Sequence, residues 1–283
     1  MEADEYSPGN ILYTNRHSLS TTDGVNSQIL AGNATVRGYK EGRAQSALFR
    51  TITGFTQISP KRIIIVDKEN HCLRLLEYPT YPVFVPLTFV FSGQCQRSGS
   101  WNERPALYSY PWSIVKDKLN TRRLLVTDSD NGAIRTVDSQ TRAVGTFVKS
   151  RSIINVKYLA QEKSGDMYVT VKYAIFRITY SDKKVTLLSG KATNSGGGYR
   201  DSNLLKSLYY ELYDLMFIGP DTLIVTDAWN SRLRLVDIKS DKVTTLATVS
   251  APYSLFPANN ILYLGQKQKI QQIKCKSGTS CFL

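Results

Sequence analysis

Apolar, β-branched runs recur along the chain, each followed by a polar break and a second apolar run. Three stretches, Ile63–Leu76, Leu124–Val137 and Leu223–Val236, align without a gap. Each carries an aspartate after the first run (Asp67, Asp128, Asp227), an asparagine three positions later (Asn70, Asn131, Asn230), and an arginine seven positions after the aspartate (Arg74, Arg135, Arg234). Apolar and polar residues alternate on both sides of the asparagine, which predicts two short strands joined by a turn, a β-hairpin. A degenerate copy over Met167–Tyr180 places Thr170 at the aspartate position and Arg177 at the arginine position. Ile11–Leu19 and Ile261–Ile273 keep only the strand pattern, and bring the copies to six.

A second signature precedes three of the hairpins. In Gly38–Phe55, Gly99–Ile114 and Gly197–Ile218 a glycine turn leads through a small or apolar residue and an aromatic into an apolar strand. From Asp67 the aspartate positions follow at intervals of 61, 42, 57 and 38 residues. These bracket the roughly 40–50 residues of a four-stranded propeller blade, with loops taking up the excess. The expected fold is all-β, a six-bladed β-propeller of mostly four-stranded antiparallel blades over residues 1–283 as one domain. Radial repetition leaves only short, protected sheet edges.

The glycine–aromatic lead-in followed by V-x-D-x-x-N-x-x-[IL]-R resembles the NHL repeat, which implies a six-bladed propeller. It leaves function open, because propellers host unrelated activities. Residues that recur in every copy are expected to serve the blade. Each aspartate would cap turn amides and each arginine would bond carbonyls or that carboxylate, so losing a cap would cost about 1 kcal/mol.

Binding groups are expected where the copies differ, in the turn between the paired strands. The candidate ligand contacts there are Arg16, His17, Lys68, Tyr173, Trp229 and Lys267. Their cations and aromatic rings suit a glycan, a protein or another anionic partner. Lys and Arg number 36 against 23 Asp and Glu, a formal charge of +13 that favours anionic partners. The basic residues are scattered along the chain, not gathered into a tail, which weakens the case for a dedicated nucleic-acid arm.

His17 and His71 fall in corresponding turns. Some NHL-like propellers are lyases that bind zinc through several histidines, but two histidines cannot supply such a set, and no metal or other cofactor is expected. No P-loop or serine-nucleophile elbow occurs, and the Gly196–Gly198 run reads as a flexible turn. Dispersed acidic ligands of a calcium-dependent, lactonase-like site would leave no local motif.

The four cysteines fall into two local pairs, Cys72 with Cys95 and Cys275 with Cys281, each placed to face across antiparallel strands. Disulfides would place the chain in an oxidising compartment; free thiols would suit the cytoplasm. Asn33-Ala-Thr35 is a glycosylation sequon. The longest apolar stretch, Tyr81–Phe91, contains Pro82 and Pro86 and is too short to span a membrane. The acidic, polar N-terminus lacks the pattern of a secretory signal. The expected function is a non-catalytic, secreted or ectodomain interaction module. The alternatives are an RNA-binding NHL domain, and then a metal-dependent lyase or lactonase.

Overall fold

The computed structural model describes residues 1–4, 9–78, 85–193, 197–258, 261–266 and 269–274. Every strand pairing within its six sheets is antiparallel. The sheets follow one another along the chain. Blade 1 comprises Glu2–Ala3, Ile11–Asn15, Ser18–Thr22 and Ser27–Gly32. Blade 2 comprises Ile52–Ser59, Arg62–Asp67, Cys72–Glu77 and Leu87–Ser92, with Gly42–Arg43 added at its outer edge. Blade 3 comprises Pro111–Lys116, Arg123–Asp128, Ala133–Asp138 and Val144–Lys149.

Blade 4 comprises Leu159–Gln161, Met167–Val171, Ala174–Ile178 and Val185–Gly190. Blade 5 comprises Leu212–Gly219, Thr222–Asp227, Arg232–Asp237 and Lys242–Thr248, and blade 6 Ser254–Ala258, Ile261–Gly265 and Ile270–Lys274. The fold class is the expected six-bladed β-propeller. The chain divides into two compact units, Met1–Lys149 with blades 1 to 3 and Ser150–Leu283 with blades 4 to 6.

The central strands are apolar at successive positions because both of their faces are covered. Ile63 and Ile65 pack with Leu12, Leu19 and Phe49 on the blade 1 side, whereas Ile64 and Val66 pack with Ile114, Leu124 and Val126 of blade 3. Blade 5 repeats the division: Leu223 and Val225 pack with Tyr168 and Ile175 of blade 4, and Ile224 packs with Leu255 and Leu262 of blade 6. Alternation along a strand thus selects which neighbouring blade a side chain meets.

The recurring Asp, Asn and Arg build one buried lattice three times. Asp67 Oδ1 accepts the Arg50 amide at 3.0 Å, while Oδ2 accepts Asn70 Nδ2 at 2.7 Å and an Arg74 N–H at 3.4 Å. In blade 3 Asp128 accepts the Ser109 amide at 2.7 Å, Asn131 at 2.9 Å and Arg135 at 2.8 Å. In blade 5 Asp227 accepts the Tyr210 amide at 2.8 Å, Asn230 at 2.9 Å and Arg234 at 2.7 Å. The arginines also donate to carbonyls of the lead-in: Leu48 and Lys40, Leu107 and Trp101, Leu208 and Arg200.

The aspartates therefore do more than cap their own turn, because they clamp a lead-in segment from 17 to 19 residues upstream. Both charges are fully buried. Removing an aspartate would strand a buried guanidinium, which raises the expected cost from about 1 to about 3–5 kcal/mol. Burial pushes all three carboxyls above their ordinary range, Asp67 to about 6, against the pull of the asparagine, the arginine and the backbone amide.

Each clamp holds the lead-in aromatic, Phe49, Tyr108 or Tyr209, about a ring's width beneath its arginine, with guanidinium-to-centroid distances of 5.0, 5.2 and 5.0 Å. The ring lies on a glycine that ends the preceding blade's last strand or follows it. A Cβ on Gly32, Gly93 or Gly190 would come within 2.9, 3.0 and 2.9 Å of Phe49, Tyr108 and Tyr209 respectively. All three glycines have positive φ, so both the conformation and the close approach exclude a side chain.

Blade 4 corrects the alignment of its degenerate copy. Its turn is two residues shorter, with Val171 opposite Ala174, where Asp128 lies opposite Ala133 across four turn residues. Val171 therefore takes the aspartate place and Phe176, opposite Val169, takes the arginine place. Thr170 instead matches Thr127 and Thr226: its hydroxyl accepts the Tyr158 amide at 3.2 Å, as theirs accept those of Ser113 and Asp214. Arg177 points away from the arginine place. Its side chain is 45% exposed and bonds Asp166.

Candidate functional site

Turns between the second and third strands are fixed by backbone bonds to the chain just ahead of a first strand. In the first unit, Arg16 (φ 43°) and His17 form a two-residue turn, and the Arg16 carbonyl accepts the Ile52 amide at 2.5 Å. The longer turn of blade 2 donates the Lys68 amide to the Thr51 carbonyl at 2.8 Å and ends on His71 in the left-handed region at φ 57°. Gly132 and Ser231 end the turns of blades 3 and 5 in the same conformation, φ 56° and 53°.

The blade 2 turn packs against the start of blade 3. The Tyr110 amide donates to His71 Nδ1 at 3.1 Å, and the two rings meet edge-on at 4.6 Å. An accepting Nδ1 fixes the neutral imidazole with its proton on Nε2. Burial holds the His71 pKa below its usual value; Arg50 acts in the same direction, while Asp130 and Glu69 oppose it. The Lys68 ammonium lies 4.1 Å from the Trp112 ring centre and 5.9 Å from that of Tyr110. Burial also lowers the Lys68 pKa, against Glu69 and Asp130, with Arg16 adding to the lowering.

In the second unit the turns of blades 4 and 5 build an aromatic row. Tyr173 is only 7% exposed and stacks on Tyr210, with centroids 5.8 Å apart and planes 15° apart. Tyr210 meets Trp229 edge-on at 5.1 Å. Trp229 is 59% exposed, yet its amide donates to the Tyr210 carbonyl at 3.1 Å and its neighbours Asp227 and Asn230 belong to the buried lattice. Gly197 lies on the tyrosine pair, since a Cβ there would come within 2.0 Å of Tyr210 and 2.7 Å of Tyr173. It is thus a packing requirement.

Beneath this row Lys157 donates to Glu211 and to the Leu212 carbonyl, and its ammonium sits 3.9 Å from the Tyr213 ring centre. It ties the lead-in of blade 4 to the start of blade 5 without an aspartate lattice. The exposed Lys172 ammonium lies 5.0 Å over the Tyr173 ring.

The candidate contacts differ in exposure. Arg16 and Trp229 are exposed, and His17 and Lys68 are half-buried at turn tips. Tyr173 is buried and stacks on Tyr210. Lys267 lies outside the described residues. Sequence reasoning missed Tyr110, Trp112 and Tyr210 as ring partners of the turns. Their signal is positional, for each lies within four residues after the lead-in aromatic, in Tyr108-Ser-Tyr-Pro-Trp112 and Tyr209-Tyr210.

Cys72 and Cys95 form the expected disulfide, with Cα atoms 5.0 Å apart, directly after His71. Cys275 and Cys281 lie outside the described residues. Asn33 is exposed on the loop leaving blade 1, and its Oδ1 accepts from the Thr35 amide and hydroxyl and from the Val36 amide. Among the described residues no three of His, Cys, Asp and Glu are grouped to hold a metal ion, and no helix is long and apolar enough to cross a membrane.

No protein-family model matches the chain, and no curated protein sequence matches it. Solved structures do. An auxiliary nutrient binding protein from Bacteroides ovatus superposes with a TM-score of 0.70 at 13% identity, over 97% of this chain and 68% of that one. A nidogen/laminin complex gives 0.61 at 12% identity, over 91% and 85%. Virginiamycin B lyase from Staphylococcus aureus gives 0.56 at 13% identity, over 94% and 77%. At such identities the likeness is one of fold: the chain is similar to propellers that include both binding proteins and a lyase.

Proposed function

We propose that the protein is a non-catalytic binding module of the cell exterior, and that it takes the ring of a carbohydrate ligand on the Trp229 indole. The observation that carries this reading is the pairing of exposure with rigidity at Trp229. A large aromatic surface stands in water, while the Tyr210 edge, the Tyr210 carbonyl and the adjoining Asp227 lattice fix its backbone and ring. A rigid exposed ring binds at little entropic cost. The disulfide supports an oxidising compartment and so disfavours the intracellular RNA-binding alternative.

The test is a glycan array probed with wild-type protein and Trp229→Ala, alongside a single-stranded RNA panel. The account expects binding of neutral saccharides that falls at least tenfold in Trp229→Ala, about 1–3 kcal/mol by analogy with stacking on nucleobases. Binding of RNA alone, or binding of neutral saccharides indifferent to Trp229, would overturn it.

A further inference from the structure

We propose a second binding site, for an acidic saccharide, in the first unit, built on Lys68 beside the Tyr110 ring with Arg16 and Arg50 on the adjoining turn and lead-in. Three turns or lead-ins bring these groups together. The Ile52 amide bonds to the Arg16 carbonyl, two residues beyond Arg50. Lys68 follows Asp67, which accepts the Arg50 amide. Tyr110 donates its amide to His71 at the far end of the Lys68 turn.

The three cations carry unspent charge. Among the described residues none of Arg16, Arg50 and Lys68 makes an ion pair within bonding distance. The neighbouring carboxylates, Glu69 and Asp130, act on Lys68 only at longer range, and the Arg16 charge opposes them. Half-buried Lys68 has given up part of its water for two ring faces, a contact worth only about 0.5–2 kcal/mol. An anionic oxygen arriving here would gain a partially desolvated ammonium and two exposed guanidiniums, where attraction is stronger than in open solvent.

The aromatic component selects a sugar over a bare ion. Tyr110 is 39% exposed and held at φ 49° by the His71 bond, so its ring is a fixed platform beside the cations. A pyranose ring over Tyr110 would place a carboxylate or sulfate substituent within reach of Lys68 and Arg16. Neutral His71 offers its Nε2–H as a further donor. This site is argued from its own residues and does not depend on Trp229.

The test measures binding of a heparin-derived hexasaccharide, its desulfated but still carboxylated counterpart, inorganic sulfate and a uridine 10-mer, by calorimetry and tryptophan fluorescence. The proposal expects the hexasaccharide to bind, with affinity falling as salt rises. Arg16→Gln with Lys68→Gln should weaken it at least tenfold, and Lys68→Arg should retain it. Arg177→Gln, which removes one exposed charge in the other unit, should change it less than twofold, and Trp229→Ala should leave it intact. Retained binding after desulfation assigns the carboxylate, and lost binding the sulfate. Equal losses in Arg177→Gln, equal affinity for inorganic sulfate, or tighter Lys68-dependent binding of the uridine 10-mer would overturn the proposal. So would an unaltered affinity in the Arg16, Lys68 double variant with its melting temperature preserved.

Discussion

Blades 4 and 5 perform the same structural task with opposite chemistry. In blade 5, Asp227 and Arg234 form a fully buried ion pair that clamps the lead-in from Arg200 to Tyr210. In blade 4 the corresponding places hold Val171 and Phe176, and the lead-in carries buried Ile153 and Val156 instead of a glycine–aromatic segment. The charged clamp is thus needed only where lead-in carbonyls must be satisfied in the interior. Where the lead-in brings apolar side chains, an apolar pair serves, consistent with the near-neutral cost of replacing buried ion pairs wholesale.

Breaking one half of the clamp should have the largest effect. Asp227→Ala is expected to lose about 3–5 kcal/mol in denaturant unfolding, because Arg234 stays buried without its carboxylate. The double change Asp227→Val with Arg234→Phe, which imports the blade 4 solution, should cost less than the single one. It will not reach zero, since the carbonyls of Leu208 and Arg200 lose their donor. A double variant less stable than the single would refute the comparison.

Next comes the disulfide of blade 2, a brace blade 4 lacks. Cys72 and Cys95 are 23 residues apart, and reducing them or replacing both with serine should cost about 3 kcal/mol in the same assay. Thr170→Val in blade 4 should cost about 1 kcal/mol, from the lost bonds to Tyr158 and Tyr213.

The effects of pH differ in sign between two groups of blade 2. A folded His71 pKa below the ordinary value of 6.5 favours the neutral ring, so its contribution is complete above about pH 6.5 and is lost as pH falls below it. His71→Gln should flatten that part of the stability–pH curve. Asp67 acts oppositely: with its folded pKa raised to about 6, stability gains as pH falls from about 6 towards 3.8, and Asp67→Asn should remove the gain.

The fold was legible because its repeat is written in buried residues that tolerate little change. Asp, Asn and Arg at fixed offsets, an aromatic on a glycine, and apolar runs packed on both faces all answer to one geometry. Blade 4 was misread by one residue, since its two-residue turn moves Val171 and Phe176 into places that counting along the chain assigns to Thr170 and Arg177. A gapless comparison cannot see a deletion inside a turn. The candidate site was legible only at its tips. Trp229, Arg16 and Lys68 stood out as differences between copies, but their partners Tyr210, Tyr110 and Trp112 come from the lead-ins and first strands. That pairing follows from backbone bonds such as Trp229 to Tyr210, which no local pattern announces.

The central claim is that recurring residues hold the blades while the residues between them bind. Asp227 and Trp229 put it to the sharpest test, being two positions apart on one turn. Melting temperature and affinity for a neutral saccharide should be measured together for Asp227→Ala and Trp229→Ala. The account predicts a large drop in melting for Asp227→Ala, and for Trp229→Ala a melting temperature within a few degrees of wild type with affinity reduced at least tenfold. A Trp229→Ala protein that melts early but binds normally would contradict it, as would an Asp227→Ala protein of unchanged stability.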